Sequence, residues 1–191
     1  MEAVVRLAVP SDLPQIFGMV NDLATHLDSG RDVAATAADI GSALGFSGES
    51  AARVASAPHL WCYVVEVVSA SGTELAGMAV WFLNYSTWMG SQGIYLEDLI
   101  VRAEFRGHGF GTRLLGRLAQ ECLERGYPRL QWSVLRDNAA AVGFYDSLGA
   151  KAAGDWVGYT LAGSALGEVA AGADPPVTDP PEESPDSSVG R

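Results

Sequence analysis

Two places in this 191-residue chain carry residue types that cost stability where they stand. Glu97 and Asp98 lie side by side in Ile94–Val101, a stretch otherwise made largely of strand formers, and strand interiors disfavour charge. A carboxylate there is either satisfied by structural partners or kept for proton or cation chemistry, because burying an unpaired charge is expensive. A few residues on, Arg106-Gly107-His108-Gly109-Phe110-Gly111 alternates three glycines with larger residues, which weakens local backbone order. Glycines between a strand and a helix let backbone amides approach an anion, and the helix dipole favours phosphate there. The same glycines also suit a plain structural turn. A nucleotide-binding Walker A loop ends in Gly-Lys-Ser/Thr, whereas this one runs into Gly111-Thr112-Arg113. A dinucleotide fingerprint needs G-x-G-x-x-G with an acid about 20 residues further on; here the glycines alternate and position 129 is Arg.

The elements that must position these residues are legible from periodicity. Val4 to Ala8 reads as a strand. Ser11-Asp12 can cap a helix whose Ile16, Val20, Leu23 and Leu27 recur at helical spacing. Ala34 to Leu44 is weakly helical, and Gly45 to Ser50 reads as loop. Trp61–Val68 and Glu74–Leu83 form a predicted antiparallel hairpin across a turn at Ser69–Thr73, and Asn84 to Gly93 is a polar and aromatic connection to the strand Ile94–Val101. Gly111 to Arg125 is a helix with Leu114, Leu115, Leu118, Cys122 and Leu123 on one face, closed by Gly126 and Pro128. Leu130 to Leu135 is a strand, Asn138 caps a helix to Leu148, and Trp156 to Leu161 is a last strand. The order β-α-α-β-β-β-α-β-α-β predicts an α/β protein, a mixed sheet with helices on both faces. From about Gly172 onward, prolines and acids dominate and apolar residues are few. The expected organisation is a folded domain over 1–163 and an acidic Pro-rich tail over 164–191, mostly disordered.

Composition removes whole classes of function. Apolar residues make up 48 % of the chain, enough for a full core. The net charge of −11 speaks against nucleic acid as the main partner, since phosphate contacts need a basic surface. Residues 1–100 hold eleven acids against three arginines, whereas residues 101–151 hold seven arginines and one lysine against five acids, a change of balance that suits a cationic ligand and an anionic one together, though two solvated faces would look the same. No basic-then-apolar leader and no run of membrane-spanning length is present, so the expected location is the cytoplasm, without membrane association. Cys62 and Cys122 are too few for a disulfide framework. His26, His59 and His108 have no metal-ligand spacing, and no metal is expected.

Arg106, Gly109 and Gly111 fill R-x-x-G-x-G, the pyrophosphate loop of the acetyl-CoA-dependent N-acetyltransferases. Around it stand Asn84-Tyr85-Ser86-Thr87-Trp88, Tyr95-Leu96-Glu97-Asp98, Asn138, Phe144-Tyr145 and Leu148-Gly149-Ala150. On these motifs, over roughly residues 4–162, the chain resembles the GNAT superfamily and, within it, the diamine (spermidine/spermine and thialysine) acetyltransferase branch. The resemblance implies the GNAT fold, acetyl-CoA as acetyl donor, a small primary amine as acceptor and direct transfer without a covalent enzyme intermediate. It implies Glu97 as general base and Tyr145 as general acid toward the leaving thiolate. Asp98, Leu99, Ile100 and Val101 would offer backbone groups to the pantetheine arm. Arg106, Gly107, His108, Gly109, Phe110, Gly111 and Thr112 would hold the pyrophosphate, and Asn138 would touch the pantetheine. Tyr85, Trp88 and Glu97 are the candidate acceptor contacts, and a homodimer is expected. By strand alternation Asp98 faces away from Glu97, so its side chain is expected to be structural. The chain also departs from the polyamine enzymes. Their acidic Tyr-Glu element is His26-Leu27 here, and the aspartate after the first-loop tyrosine is Ser86. Those changes favour a smaller amine, or an amino acid with an amino-bearing side chain. A protein lysine or N-terminus is the rival acceptor, and an acyl-CoA-binding module without catalysis is the rival class.

Overall fold

The computed structural model describes residues 2–27, 33–46, 59–69, 72–154 and 157–172. Strand β1 (Glu2–Leu7) leads through a 3-10 turn at Pro10–Asp12 into α1 (Leu13–His26) and then α2 (Ala37–Ala43). Strands β2 (Trp61–Ser69), β3 (Gly72–Ser86) and β4 (Ser91–Val101) follow, then α3 (Phe110–Arg125), β5 (Leu130–Trp132), α4 (Ala139–Ser147) and α5 (Ser164–Ala171). Chain contacts define two compact units, 1–141 and 142–191.

In the first unit the strands form one sheet in the order β1-β2-β3-β4-β5. The first four are antiparallel neighbours, whereas β5 runs parallel to β4 and is reached through α3. A parallel partner needs such a crossover, so the helix that follows the glycine loop is a topological necessity. The expected mixed α/β sheet is what forms.

Helix α1 starts with Pro14 in its first turn and buries Ile16 and Met19. With Leu44 after α2, they pack on Cys62, Val64, Leu75, Met78, Val80 and Ile100 from one sheet face. Thr36 and Asp39 close a reciprocal capping box on α2. On the opposite face α3 buries Leu114, Leu115, Leu118 and Cys122, and Gly126 ends it with a left-handed φ of 70°. An ion cluster ties the first elements together: the Arg6 guanidinium donates to Asp12 Oδ1 at 3.0 Å and to Glu66 Oε2 at 2.9 Å. Burial alone would raise the Asp12 carboxyl, but Arg6 and the Val9 amide more than offset it and hold it below the usual range.

Three local expectations are corrected. The connection predicted over Asn84–Gly93 is mostly strand, because β3 and β4 keep pairing out to Ser86 and Ser91. The strand predicted over Leu130–Leu135 pairs only as far as Trp132. In the predicted last strand, Trp156 lies outside the described residues, and 157–162 form no strand. Val157 (74 % exposed) and Tyr159 (94 %) alternate as a strand would, but alternation makes a strand only where a neighbour takes up the hydrogen bonds and covers a face. Residues Ser164–Ala171 are helical; Asp28 and the tail from 173 lie outside the described residues. Among the described residues no helix is long and apolar enough to cross a membrane.

Candidate active site

The pairing of β4 with its neighbours sets the site. β5 follows β4 only from Ile94↔Leu130 to Leu96↔Trp132. From Glu97 to Val101, no described strand pairs with β4 on that side. On the other side β3 continues, with an irregularity at the same point: Trp81 faces Leu96 and Val80 faces Asp98, so Glu97 is the extra residue of a β-bulge.

The bulge overturns the expected alternation of the two acids. Trp81 stacks on Tyr63, whose hydroxyl donates to Glu121 of α3, so Trp81 and its partner Leu96 lie on the α3 face. Val80 belongs to the core under α1, so Asp98 lies on that face, across Val80 from Cys62. Burial, and then the charge of Glu97, push the Asp98 carboxyl up to about 6. Cys62 is pushed up to about 12, first by burial and then by the Asp12 and Asp98 charges, so it is an inert thiol. Glu97 itself is exposed. Two carboxylates close enough to feel each other's charge therefore stand where β4 loses its neighbour.

Beyond the strand, Gly107 and Gly109 adopt left-handed φ values of 80° and 75°, which a Cβ would strain. Gly109 is the N-cap of α3, and no side chain caps the helix. The N–H groups of Phe110, Gly111 and Thr112 thus lack intrahelical acceptors, the condition that suits a helix start to an anion. Arg106 Nε donates to the carbonyl of Val101 at 3.1 Å, tying the loop to the end of β4. His108 Nδ1 lies 3.2 Å from the Phe105 carbonyl and 3.1 Å from that of Arg106, so this nitrogen carries the proton. Its ring stacks on Phe110, and His108 braces the loop.

Helix α3 is held in place by a buried carboxylate. Glu121 accepts from the Tyr63 hydroxyl at 2.7 Å and from Arg117 at 2.9 Å, and it also pairs with Arg125. Burial would raise the Glu121 carboxyl, but these donors reverse the shift and hold it below the usual range.

Tyr85 and Trp88 are exposed at the far end of the β3–β4 hairpin, and Tyr85, one residue past Asn84, points to the α3 face. Asn138 caps α4, its Oδ1 accepting from the Ala141 amide at 3.1 Å. In the second unit, Tyr145 is half-buried, and burial raises its hydroxyl above the ordinary range. Its carbonyl accepts from the Leu148 and Ala150 amides at 3.0 and 3.2 Å, a helix stop made with Gly149 at φ 80°. No group of three or more potential metal ligands occurs among the described residues.

A diphosphate seated at the uncapped start of α3 would direct its attached arm along the unpaired part of β4, toward the carboxylates of the bulge. That is the layout of an enzyme moving an acyl group from a nucleotide-linked thioester to an acceptor that must lose a proton. Comparison with known proteins gives the particular family. Residues 42–150 match the Acetyltransferase (GNAT) family, and the chain belongs to it. The chain is 35 % identical over 120 residues to the thialysine N-epsilon-acetyltransferase of Bos taurus, covering 59 % of this chain and 70 % of that one. It is 36 % identical over 92 residues to L-ornithine N5-acetyltransferase NATA1 of Arabidopsis thaliana, covering 48 % of this chain and 40 % of that one. Among solved structures, an integron cassette protein of V. cholerae superposes with TM-score 0.68 at 22 % identity, over 89 % of this chain and 98 % of that one. AAC(6')-Iy, bound to a CoA-S-monomethyl-acetylneamine bisubstrate analog, superposes with TM-score 0.63 at 18 % identity, over 84 % and 98 %. The protein is an acetyl-CoA-dependent N-acetyltransferase of the GNAT type.

Proposed function

We propose that the acceptor is a small primary amine, on a basic amino acid or a diamine, and that Glu97 and Asp98 together take its proton. The observation that carries this reading is the bulge, which sets a half-buried carboxyl, raised to about 6, beside an exposed one where β4 loses its neighbour. An amine of this kind is an ammonium at neutral pH. Two carboxylates attract it and one of them can then receive its proton, a task suited to a group poised near the working pH. The relatives named for thialysine and ornithine support an acceptor of this size.

Acetyl-CoA, when bound, supplies the acetyl group as a thioester. The first-turn amides of α3 and the loop Arg106–Thr112 hold its diphosphate. The backbone of Asp98–Val101 orients the pantetheine arm as a missing strand would, and Asn138 contacts it. Tyr145 returns a proton to the sulfur as the C–S bond breaks and the N–C bond forms. The exposed Val157 and Tyr159 support assembly as a homodimer, which sedimentation would test.

The deciding experiment is acetyl-CoA-dependent thiol release with a panel of diamines, polyamines, basic amino acids and lysine-containing peptides. Release with small amines is expected. Tight acetyl-CoA binding without release for any amine would make the protein an acyl-CoA-binding module instead.

A further inference from the structure

Arg129 is a cation that the acetyl-transfer chemistry leaves without a role. Its main chain is fixed to β4, its carbonyl accepting the Ile94 N–H at 3.1 Å. Its side chain lies flat over Gly93, where an added Cβ would come within 2.7 Å of Arg129 Cγ and 2.9 Å of Nε. Only glycine lets the arginine cross the strand there. The guanidinium then donates from Nε to Gln131 Oε1 at 2.8 Å and from NH2 to Asn84 Oδ1 at 2.9 Å, with Met89 Sδ 3.7 Å from NH1.

All three partners are neutral. Arg6, Arg117 and Arg125 each pair with carboxylates, whereas among the described residues no acid pairs with Arg129. The clamp orients the guanidinium without neutralising it, and two of its five N–H groups remain for a ligand. A planar fork held this way recognises a carboxylate.

This fork shares a sheet face with Asp98. Asn84 and Phe82 alternate with Val80 along β3, and Val80 pairs with Asp98. Between the two charged ends lie Phe82 and Tyr95, rings 5.1 Å apart, with the Tyr95 hydroxyl 2.8 Å from Ser133 Oγ. The face thus offers a cationic end, an aromatic floor and an acidic end. Gly93 and Glu97 are four residues apart, about 13 Å along the strand. A hydrogen bond of about 3 Å at each end leaves about 7 Å. Six bonds of an extended chain, from a carboxylate oxygen to the side-chain amine of a five-carbon diamino acid, span about 7 Å.

We propose that Arg129, clamped by Asn84 and Gln131 over Gly93, binds the carboxylate of the acceptor and selects a basic amino acid over the matching bare diamine. The assignment rests on the reading that the amine is delivered to Glu97 and Asp98.

The test uses substrate pairs that differ only in the carboxylate: ornithine against 1,4-diaminobutane, and lysine against 1,5-diaminopentane. The measured quantity is kcat/KM for thiol release within each pair. The wild-type protein should prefer the amino acid of at least one pair by roughly ten- to a hundredfold, the range for charge-assisted hydrogen bonds. Arg129→Met should collapse that ratio toward one, mainly through KM for the amino acid. Gly93→Ala, which keeps the arginine but pushes it off the strand, should lower the ratio in the same direction. Equal use of both members by the wild-type protein, or a ratio unchanged in both variants, overturns the assignment of Arg129 alone. Release with no amine at all overturns the amine reading and this assignment with it.

Discussion

Glu97 and Asp98 are neighbours that the strand pairing separates: Val80 faces Asp98, Trp81 faces Leu96, and Glu97 has no partner in the β3 register. The proximity of two carboxyls, one of them half-buried, has a cost in stability that pH exposes. Folded Asp98 titrates at about 6, raised first by burial and then by Glu97, whereas an unfolded aspartate titrates at about 4. Between those values the folded state holds more protons than the unfolded one, so stability falls as pH rises through the window and stays reduced above it. The full shift corresponds to roughly 2–3 kcal/mol. Asp98→Asn should therefore raise stability at pH 7.5 by about 1–2 kcal/mol and flatten this pH dependence. Urea unfolding at pH 4.5 and 7.5 measures both effects, and an unchanged slope would show that Asp98 is not burdened by its site.

The same pair should govern the rate. kcat/KM is expected to rise with pH through an apparent value near that of Asp98, a property of the coupled pair. Glu97→Gln removes the charge that helps raise Asp98, so the limb should move to lower pH while the rate drops by roughly 10²–10⁴-fold. Asp98→Asn should remove the limb from that region. If both variants keep the wild-type profile, the proton leaves by another route, or the amine arrives already neutral.

Much of this architecture is legible in the residues, and the part that is not has a physical cause. The glycine loop, the helix behind it and the hairpin follow from local signals: Gly109 and Gly126 stand where left-handed backbone is needed. The bulge leaves no such mark. Ile94, Leu96, Leu99, Ile100 and Val101 include apolar residues for both sheet faces, since helices cover both, so no period of two is left to break. Arg129 reads as a surface arginine until the register places it over Gly93. The predicted last strand fails for the opposite reason, because its alternation is clear but no described strand lies beside it.

Glu121 should act as the lock on α3. With a carboxyl held below its ordinary range, it contributes stability that is present above its unfolded value, about 4.3, and lost as pH falls through the folded value. Glu121→Gln keeps the shape but weakens the bonds from Tyr63, Arg117 and Arg125, and should cost about 1–3 kcal/mol at neutral pH. Denaturant titrations at pH 7 and pH 4 should show the difference shrinking in acid. A constant difference would mean that packing, not charge, makes Glu121 matter.

Tyr145 can serve as an acid only if its hydroxyl keeps its proton at working pH, and burial moves it in that direction. Its main chain is fixed by the helix stop at Leu148–Ala150, so replacement by phenylalanine should remove the hydroxyl and little else. Tyr145→Phe is expected to lower kcat by roughly 10²-fold or more, with KM for acetyl-CoA nearly constant. The sharper check varies the leaving group. A thiol more acidic than that of coenzyme A departs without help, so with such an acetyl thioester the gap between variant and wild type should narrow. A gap of the same size for both donors would mean that Tyr145 positions the donor and does not protonate the thiolate.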